Sequence, residues 1–167
     1  MMPFKPLVSI LMGSESDRAA MTAASTALQE FHVAHEVVVS SAHRSAAETR
    51  AYVHDAESRG VRVFICGAGM SAALPGAVAA ETVLPVLGVP LGGSALSGVD
   101  ALYAIAQMPG GIPVGATAIG KSGAKNAAIL AVEILALTDA QLRERLLNFR
   151  RGLALPPTIE KIGRTED

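Results

Sequence analysis

The chain has 167 residues, 50% of them hydrophobic, with no tryptophan and a formal net charge of −1 at neutral pH. This length suffices for one domain with a full core, and the near-neutral charge argues against a broad basic face for nucleic acid. Cys66 is the single cysteine, so neither an intrachain disulfide nor a thiolate zinc cluster can form. No apolar run reaches the roughly 18 residues of a membrane span, and the start of the chain lacks a signal-peptide pattern. We therefore expect a soluble cytoplasmic protein that does not bind membranes.

Short apolar runs alternate along the chain with longer alanine-rich or amphipathic stretches, as strands alternate with helices. The predicted strands are 7–12, 35–39, 61–66, 84–89 and 112–119. The main predicted helices run from Asp17 to about 31, then over 46–59, 99–106 and 123–137, and a last helix starts at Thr138. This order favours a parallel sheet covered on both faces, a three-layer α/β/α domain over residues 1–155. Residues 156–167 are polar and proline-bearing, and we expect them to be disordered.

Local signals mark several helix ends. The segments 45–48 and 138–141 each have Ser or Thr followed three residues later by Glu or Gln, the pattern of a capping box. Gly60 fits the left-handed position that ends a helix. These signals predict helix starts at 46 and after 138, and a helix end at 59.

The last predicted helix carries one apolar stripe. A helix that follows a complete five-stranded sheet has no sheet position left to cover. We therefore expect the stripe to contact another subunit, within an assembly larger than a dimer. Its residues are Leu142, Leu146, Phe149 and Leu153.

The loop after the first strand holds Ser14, Ser16 and Asp17 at the start of a helix. Backbone N–H groups point outward there and the helix dipole is positive, so the loop could hold an anion such as phosphate. Ordinary capping by one serine would account for a single hydroxyl only. The loop is therefore a candidate phosphate site.

His43 and Arg44 lie between the second strand and the helix that follows it. This is the carboxyl edge of a strand, where ligands bind in α/β sheets. An imidazole exchanges protons near neutral pH, and a guanidinium can grip a phosphate or carboxylate with two hydrogen bonds. For the pair alone, a solvent-facing loop is the simpler interpretation. The other histidines lie in predicted helix or strand positions away from this edge: His32, His35 and His54.

Two glycine motifs fit nucleotide-binding patterns by their letters but not by their context. Residues 67–72 fit G-x-G-x-x-A, yet they follow the third strand, and the next strand ends without an acidic residue. Residues 115–122 fit the P-loop pattern, yet their middle residues continue a strand, and no strand ends in a magnesium-binding Asp. We expect only that Gly67 and Gly69 let the backbone approach a ligand closely.

Five motifs together resemble the bacterial N5-carboxyaminoimidazole ribonucleotide mutases of de novo purine synthesis, over residues 7–150. They are the segments 13–17, 41–44, 67–69 with 74–76, 107–111 and 120–127. The resemblance implies a flavodoxin-like, five-stranded parallel sheet with an extra C-terminal helix. It also implies a homo-octamer with active sites at subunit junctions, and a reaction that needs neither metal nor nucleotide cofactor.

The same resemblance assigns roles to individual residues. It implies that His43 is the acid–base catalyst. The residues implied to bind a nucleotide monophosphate, chiefly at its ribose phosphate end, are Ser14, Ser16, Asp17, Ser41, Ala42 and Arg44. Those implied to border the carboxylate or CO2 pocket, or otherwise to contact substrate, are Gly67, Ala68, Gly69 and Leu74.

The reaction that the resemblance implies moves a carboxyl group from an exocyclic nitrogen to a ring carbon. Decarboxylation gives aminoimidazole ribonucleotide and trapped CO2, the ring carbon attacks CO2, and a base removes the proton from that carbon. Ala73 stands where the family typically has histidine, which leaves open a carboxylase that takes free CO2. A non-catalytic module that binds nucleotide monophosphates is the other alternative. The intact segment 41–44 argues against that module, because binding alone needs no titratable base.

Overall fold

The computed structural model describes residues 5–154 and residue 157 of the chain. The strands are β1 (Val8–Met12), β2 (His35–Val39), β3 (Val63–Gly69), β4 (Val86–Leu91) and β5 (Gly115–Ala116). The helices are α1 (Arg18–Glu30), α2 (Ala46–Arg59), α3 (Ala73–Ala79), α4 (Val99–Ala106), α5 (Lys121–Leu135) and α6 (Ala140–Leu153). The expected disorder of 156–167 lies outside the described residues, apart from residue 157.

The five strands form one parallel sheet in the order β2-β1-β3-β4-β5. Val8, Ile10 and Met12 of β1 belong to a core shared with α1 and α5, whereas Leu11 belongs to a second core with α2, α3 and α4. Helices thus cover both faces, which explains why the central strands β1, β3 and β4 read as mostly apolar runs. The predicted α/β class, with a parallel five-stranded sheet between two helical layers, is confirmed. None of the helices in the described ranges is long and apolar enough to span a membrane.

The strand order places a ligand crevice between the ends of β1 and β3. The chain leaves β1 toward β2 on one side of the sheet and passes from β3 to β4 on the other. Connections from these two neighbouring strands therefore diverge, which opens a crevice at their carboxyl ends.

Helix α6 packs against its own chain, so the prediction that its stripe lacks an intrachain partner is wrong. Leu142 is buried, and Leu146 and Phe149 pack against the core between α1 and α5. The ring of Phe149 meets that of Phe31 edge to face, with centroids 5.1 Å apart. Only Leu153 of the stripe is strongly exposed, at 57%. The expectation failed because α6 covers two helices rather than the sheet.

Strands β3 and β5 differ in extent from their predicted ranges. Strand β3 runs on to Gly69, because its last residues pair with Met12 and with Leu91. Strand β5 has two residues where residues 112–119 were predicted, and it pairs only with Leu87 and Gly88. It is an edge strand, and Pro113 just before it has no N–H to donate to a ladder.

The predicted helix start at 46 and helix end at 59 are confirmed, but neither of the two predicted capping boxes forms. Gly60 ends α2 with φ +108°, the left-handed conformation expected. The side chain of Ser45 caps nothing at the start of α2. The cap of α6 is Asp139, not Thr138, and its carboxylate accepts a 2.9 Å hydrogen bond from the backbone N–H of Leu142. An aspartate at the N-cap also suits the helix dipole.

Candidate active site

A cavity of about 370 Å³ occupies the crevice at the carboxyl edge of the sheet. Connections after four strands form it. Its walls are residues 13, 14, 16 and 17 after β1, residues 41–43 after β2, residues 68–74 at the end of β3, and residues 92–93 after β4. The site thus draws on loops that are far apart in sequence, as expected where strand ends converge.

The loop after β1 is held by a reciprocal cap between Ser14 and Asp17. The backbone N–H of Ser14 donates to Asp17 Oδ2 at 3.1 Å, and Ser14 Oγ accepts from Ser16, at 3.0 Å from its hydroxyl and 3.4 Å from its N–H. Two accepted bonds leave the hydroxyl hydrogen of Ser14 to donate elsewhere. Partial burial raises the pKa of Asp17, an effect that the N–H of Ser14 opposes.

The loop after β2 is tied both to itself and to the first loop. The N–H of Ser45 donates to the carbonyl of Ser41 at 2.9 Å, and the N–H of Arg44 donates to Ser41 Oγ at 3.3 Å. The guanidinium of Arg44 reaches across and donates to the carbonyl of Gly13 at 3.2 Å. One arginine therefore joins the two loops, while His43 lies exposed on the cavity wall.

The end of β3 supplies a wall of small side chains and strained backbone. Met70 and Ala72 have φ of +55° and +41°, a left-handed conformation that is unfavourable for residues with a Cβ. The N–H of Ala72 closes the turn onto the carbonyl of Gly69 at 2.9 Å. Leu74 lines the cavity and is 2% exposed. Strain held by packing in this way is common at ligand sites.

The structure brings nine of the eleven predicted site residues to the cavity wall. They are Ser14, Ser16, Asp17, Ser41, Ala42, His43, Ala68, Gly69 and Leu74. Arg44 lies beside them through its bond to Gly13. Gly67 is the exception, because it faces α1. A Cβ at this position would overlap the side chain of Met21 in that helix. Gly67 therefore lets α1 approach the sheet and does not border the cavity.

Sequence reasoning missed the wall formed by Gly92 and Gly93. These residues follow β4, which lies beside β3, so their loop reaches the same edge of the sheet. Gly93 has φ +136°, which residues with a side chain rarely adopt. A glycine pair three residues after the predicted strand 84–89 is the signal that could have placed this loop in the site.

The other titratable candidates lie outside the cavity. The ring of His35 is hydrogen-bonded to Ser25 at 2.7 Å and to the carbonyl of Val33 at 2.9 Å. His54 lies 3.4 Å from Glu81 on the surface. Cys66 is fully buried, and burial raises the pKa of its thiol, which keeps it protonated. Among the cavity-lining residues, His43 is the one histidine.

Fold and cavity together define a flavodoxin-like α/β protein whose ligand crevice lies at the reversal of strand order. Residues 7–154 match the family described as AIR carboxylase, and the chain belongs to that family. It is 52% identical over 145 residues to the N5-carboxyaminoimidazole ribonucleotide mutase of Escherichia coli K12, covering 87% of this chain and 86% of that protein. It is 51% identical over 148 residues to the mutase of Synechocystis, covering 89% and 83%. The crystal structure of Treponema denticola PurE superposes with a TM-score of 0.80 at 28% identity, covering 88% and 90%.

Proposed function

We propose that this protein is an N5-carboxyaminoimidazole ribonucleotide mutase of de novo purine synthesis, an isomerase acting in the cytoplasm. The observation that carries the proposal is the 52% identity to a mutase of that name over nearly the whole length of both chains. The position of His43 on the wall of a cavity next to two loops suited to an anion supports the same chemistry. A carboxylase that takes free CO2 and a non-catalytic nucleotide-binding module are less well supported.

Substrate binding is proposed for the loops after β1 and β2. The hydroxyls of Ser14, Ser16 and Ser41 and the guanidinium of Arg44 would hold the phosphate, and Asp17 would accept hydrogen bonds from the ribose. The bond from Arg44 to the carbonyl of Gly13 supports this arrangement, because it holds both loops in one geometry. Preorganised donors of this kind reduce the entropy lost when a ligand binds.

His43 is proposed to carry the proton in both halves of the reaction. As imidazolium it gives a proton to N5 while the bond from N5 to the carboxyl carbon breaks, which releases CO2 and aminoimidazole ribonucleotide. C4 then attacks CO2, and the neutral imidazole takes the proton from C4 to restore aromaticity. The proton spent in the first half returns in the second, so one general acid–base suffices and the net change is an isomerisation.

The small side chains at the end of β3 are proposed to hold CO2 between these two halves. Ala68, Ala73 and Leu74 present apolar surface to the cavity, and Gly69 leaves backbone exposed beside them. Ala73 replaces the histidine typical of the family, so backbone N–H groups or an ordered water must do the work of that imidazole. The proposal requires neither a metal nor a nucleotide cofactor.

Comparing initial rates from two starting materials tests the proposed carboxyl donor. We expect turnover of N5-carboxyaminoimidazole ribonucleotide at low bicarbonate, because the CO2 it releases stays in the pocket. The control is aminoimidazole ribonucleotide with bicarbonate varied over the same range. Efficient turnover only from the control mixture would identify a carboxylase, and no turnover from either would favour the binding module.

A homo-octamer with active sites at subunit junctions is also proposed. Four apolar side chains with large exposed fractions lie on the cavity wall, in the loop after β4 and on α4: Met70 62%, Leu96 63%, Val99 44% and Tyr103 64%. Where exposed apolar side chains form a patch, the patch marks an interaction surface. A second subunit that covers Met70 would also cover part of the cavity wall.

Tyr103→Asp tests the assembly. A charge buried at an interface is unfavourable, so we expect the variant to sediment as a smaller species than the wild type at micromolar concentration. Leu137→Asp is the control, because Leu137 is 83% exposed but lies after α5, at the opposite edge of the sheet from the cavity. A monomeric wild-type protein would contradict the proposal, as would an unchanged Tyr103→Asp.

A further inference from the structure

Two polar side chains are buried within the described ranges, Ser9 at 0% exposure and Thr49 at 3%. Ser9 lies in β1 and is hydrogen-bonded to Tyr52. Thr49 lies in the first turn of α2, directly behind the loop that carries His43. A buried hydroxyl is unfavourable unless it is hydrogen-bonded. The hydrogen-bond partners of Thr49 therefore indicate the structural role of its buried hydroxyl.

The hydroxyl of Thr49 bridges the two ends of the His43 loop. It donates to the backbone carbonyl of Ser45 at 2.9 Å, and it lies 2.7 Å from Ser40 Oγ. Since the single hydrogen of Thr49 goes to the carbonyl, Ser40 must be the donor in the second bond. The result is a directed chain from Ser40 through Thr49 to Ser45. Chains of this kind polarise and strengthen their members.

The ends that this chain joins are the two points where the His43 loop leaves regular structure. Ser40 follows β2, and its N–H donates to the carbonyl of Met12 at 2.9 Å. Ser45 precedes α2, and its carbonyl also accepts the first helical bond, from the N–H of Thr49 at 2.9 Å. The buried hydroxyl of Thr49 thus links the two ends of the loop that carries His43.

We propose that Thr49, acting with Ser40, is a positioning residue that holds His43 in place for proton transfer. This inference rests on the proposed function, because it assumes that His43 moves the proton. Thr49 lies beneath the loop and acts on the reaction through the geometry of His43. Proton transfer is sensitive to such geometry, and a displacement of about 1 Å can lower a rate by roughly 10²-fold.

Arg44 has separate anchors, which predicts a particular kinetic signature. Its N–H bonds to Ser41 Oγ and its guanidinium bonds to Gly13, and neither bond involves Thr49. Loss of the Thr49 hydroxyl should therefore disturb the proton carrier more than the phosphate contacts. The expected signature is a fall in kcat with little change in KM.

Steady-state kinetics of Thr49→Val, which keeps the size and removes the hydroxyl, give the first test. We expect kcat with N5-carboxyaminoimidazole ribonucleotide to fall about tenfold or more, while KM stays within about threefold. Thr49→Ser, which keeps the hydroxyl, should retain kcat within about twofold. The inference is overturned if Thr49→Val keeps the wild-type kcat, if KM changes as much as kcat, or if Thr49→Ser is as slow as Thr49→Val.

Tyr52→Phe is the matched control for a purely structural effect. It removes the partner of the other buried hydroxyl, Ser9, and a 2.6 Å bond to Glu36, from the same helix but away from the loop. We expect this control to lower Tm with kcat unchanged. A fall in kcat as large as that of Thr49→Val would overturn the inference, because general loosening of α2 would then explain both variants.

A second readout separates this inference from the proposed function. The ring nitrogens of His43 can be followed by NMR in 15N-histidine-labelled protein, with His43→Asn to assign the signal. We expect Thr49→Val to shift that signal while the signals of His35 and His54 stay in place. If the wild-type protein shows no turnover, the proposed function fails, but the spectrum still tests the positioning role of Thr49. An unchanged His43 signal in Thr49→Val overturns that role, and a selective shift supports it.

Discussion

His43→Asn is expected to lower turnover of N5-carboxyaminoimidazole ribonucleotide by 10²-fold or more, the usual scale for a lost general acid–base. Asparagine keeps a polar side chain of similar reach, but it cannot exchange a proton near neutral pH. Nucleotide binding should stay within about tenfold, because the proposed phosphate contacts come from Arg44 and the serines. The measurement is kcat from formation of the C4-carboxylated product, together with Kd for that product by calorimetry.

His54→Asn is the control for this variant. His54 lies on the exposed surface of α2, 3.4 Å from Glu81, and it does not line the cavity. We expect wild-type kcat from the control. Wild-type turnover by His43→Asn, or an equal loss in both variants, would show that His43 is not the proton carrier.

Gly123→Ala is expected to lower the free energy of unfolding by about 3 kcal/mol or more, the upper range for overpacking. A Cβ at Gly123, in the first turn of α5, would overlap the backbone carbonyl of Ala118. Since backbone rather than a flexible side chain is in the way, relief requires α5 or the segment after β5 to move. Denaturant unfolding followed by circular dichroism measures the change, and failure to accumulate folded protein would be its extreme form.

Gly152→Ala provides the contrast. Gly152 lies in α6 and a Cβ there meets no atom within 4 Å. Alanine should therefore be neutral or raise stability by up to about 1 kcal/mol, the difference in helix propensity. Equal unfolding midpoints for the two variants would contradict the packing that is described here for Gly123.

The P-loop match just before Gly123 is a coincidence of letters. The matched residues 115–122 end in the first turn of α5, and none of them lines the cavity. The glycines of this region serve the close packing of α5 and the turn at Gly120, which has φ +75°. The segment 120–127, one of the motifs that resemble the mutases, thus includes glycines that serve packing and turn formation.

The order and type of the main elements could be predicted from the sequence because the central strands β1, β3 and β4 are short apolar runs buried on both faces. Val8–Met12 is buried throughout, and so is Val86–Leu91. Element ends were less predictable. The length of β3 depends on pairing with β1 and β4, and the shortness of β5 depends on its position at the edge. Neither is a local property of the sequence.

The partner of α6 could not be predicted, because an apolar stripe shows that a helix is covered but not by what. Phe149 packs on Phe31, which is more than a hundred residues away along the chain. The contact exists because α1 and α5 lie side by side on one face of the sheet, which is a consequence of the strand order. The proposed assembly is therefore expected to use other surfaces, such as the one around Tyr103.

Most of the candidate site could be predicted, because loops at the carboxyl ends of parallel strands converge whatever their separation in sequence. Gly67 is the instructive exception. Strand β3 continues through it to Gly69, so Gly67 and Gly69 share one face of the sheet. Gly67 faces Met21 of α1, whereas Gly69, two residues further on at the end of the strand, lines the cavity. A glycine pattern alone does not reveal where the strand ends and the cavity begins.

The most direct test of the central claim follows the carboxyl carbon itself. N5-carboxyaminoimidazole ribonucleotide labelled with 13C in its carboxyl group would be supplied with unlabelled bicarbonate, and the product examined by NMR. A mutase that keeps CO2 in its pocket predicts that most of the C4-carboxylate formed at early times retains 13C. Product in which the label has been diluted to the level of the bicarbonate pool, or no C4-carboxylated product at all, would contradict the account.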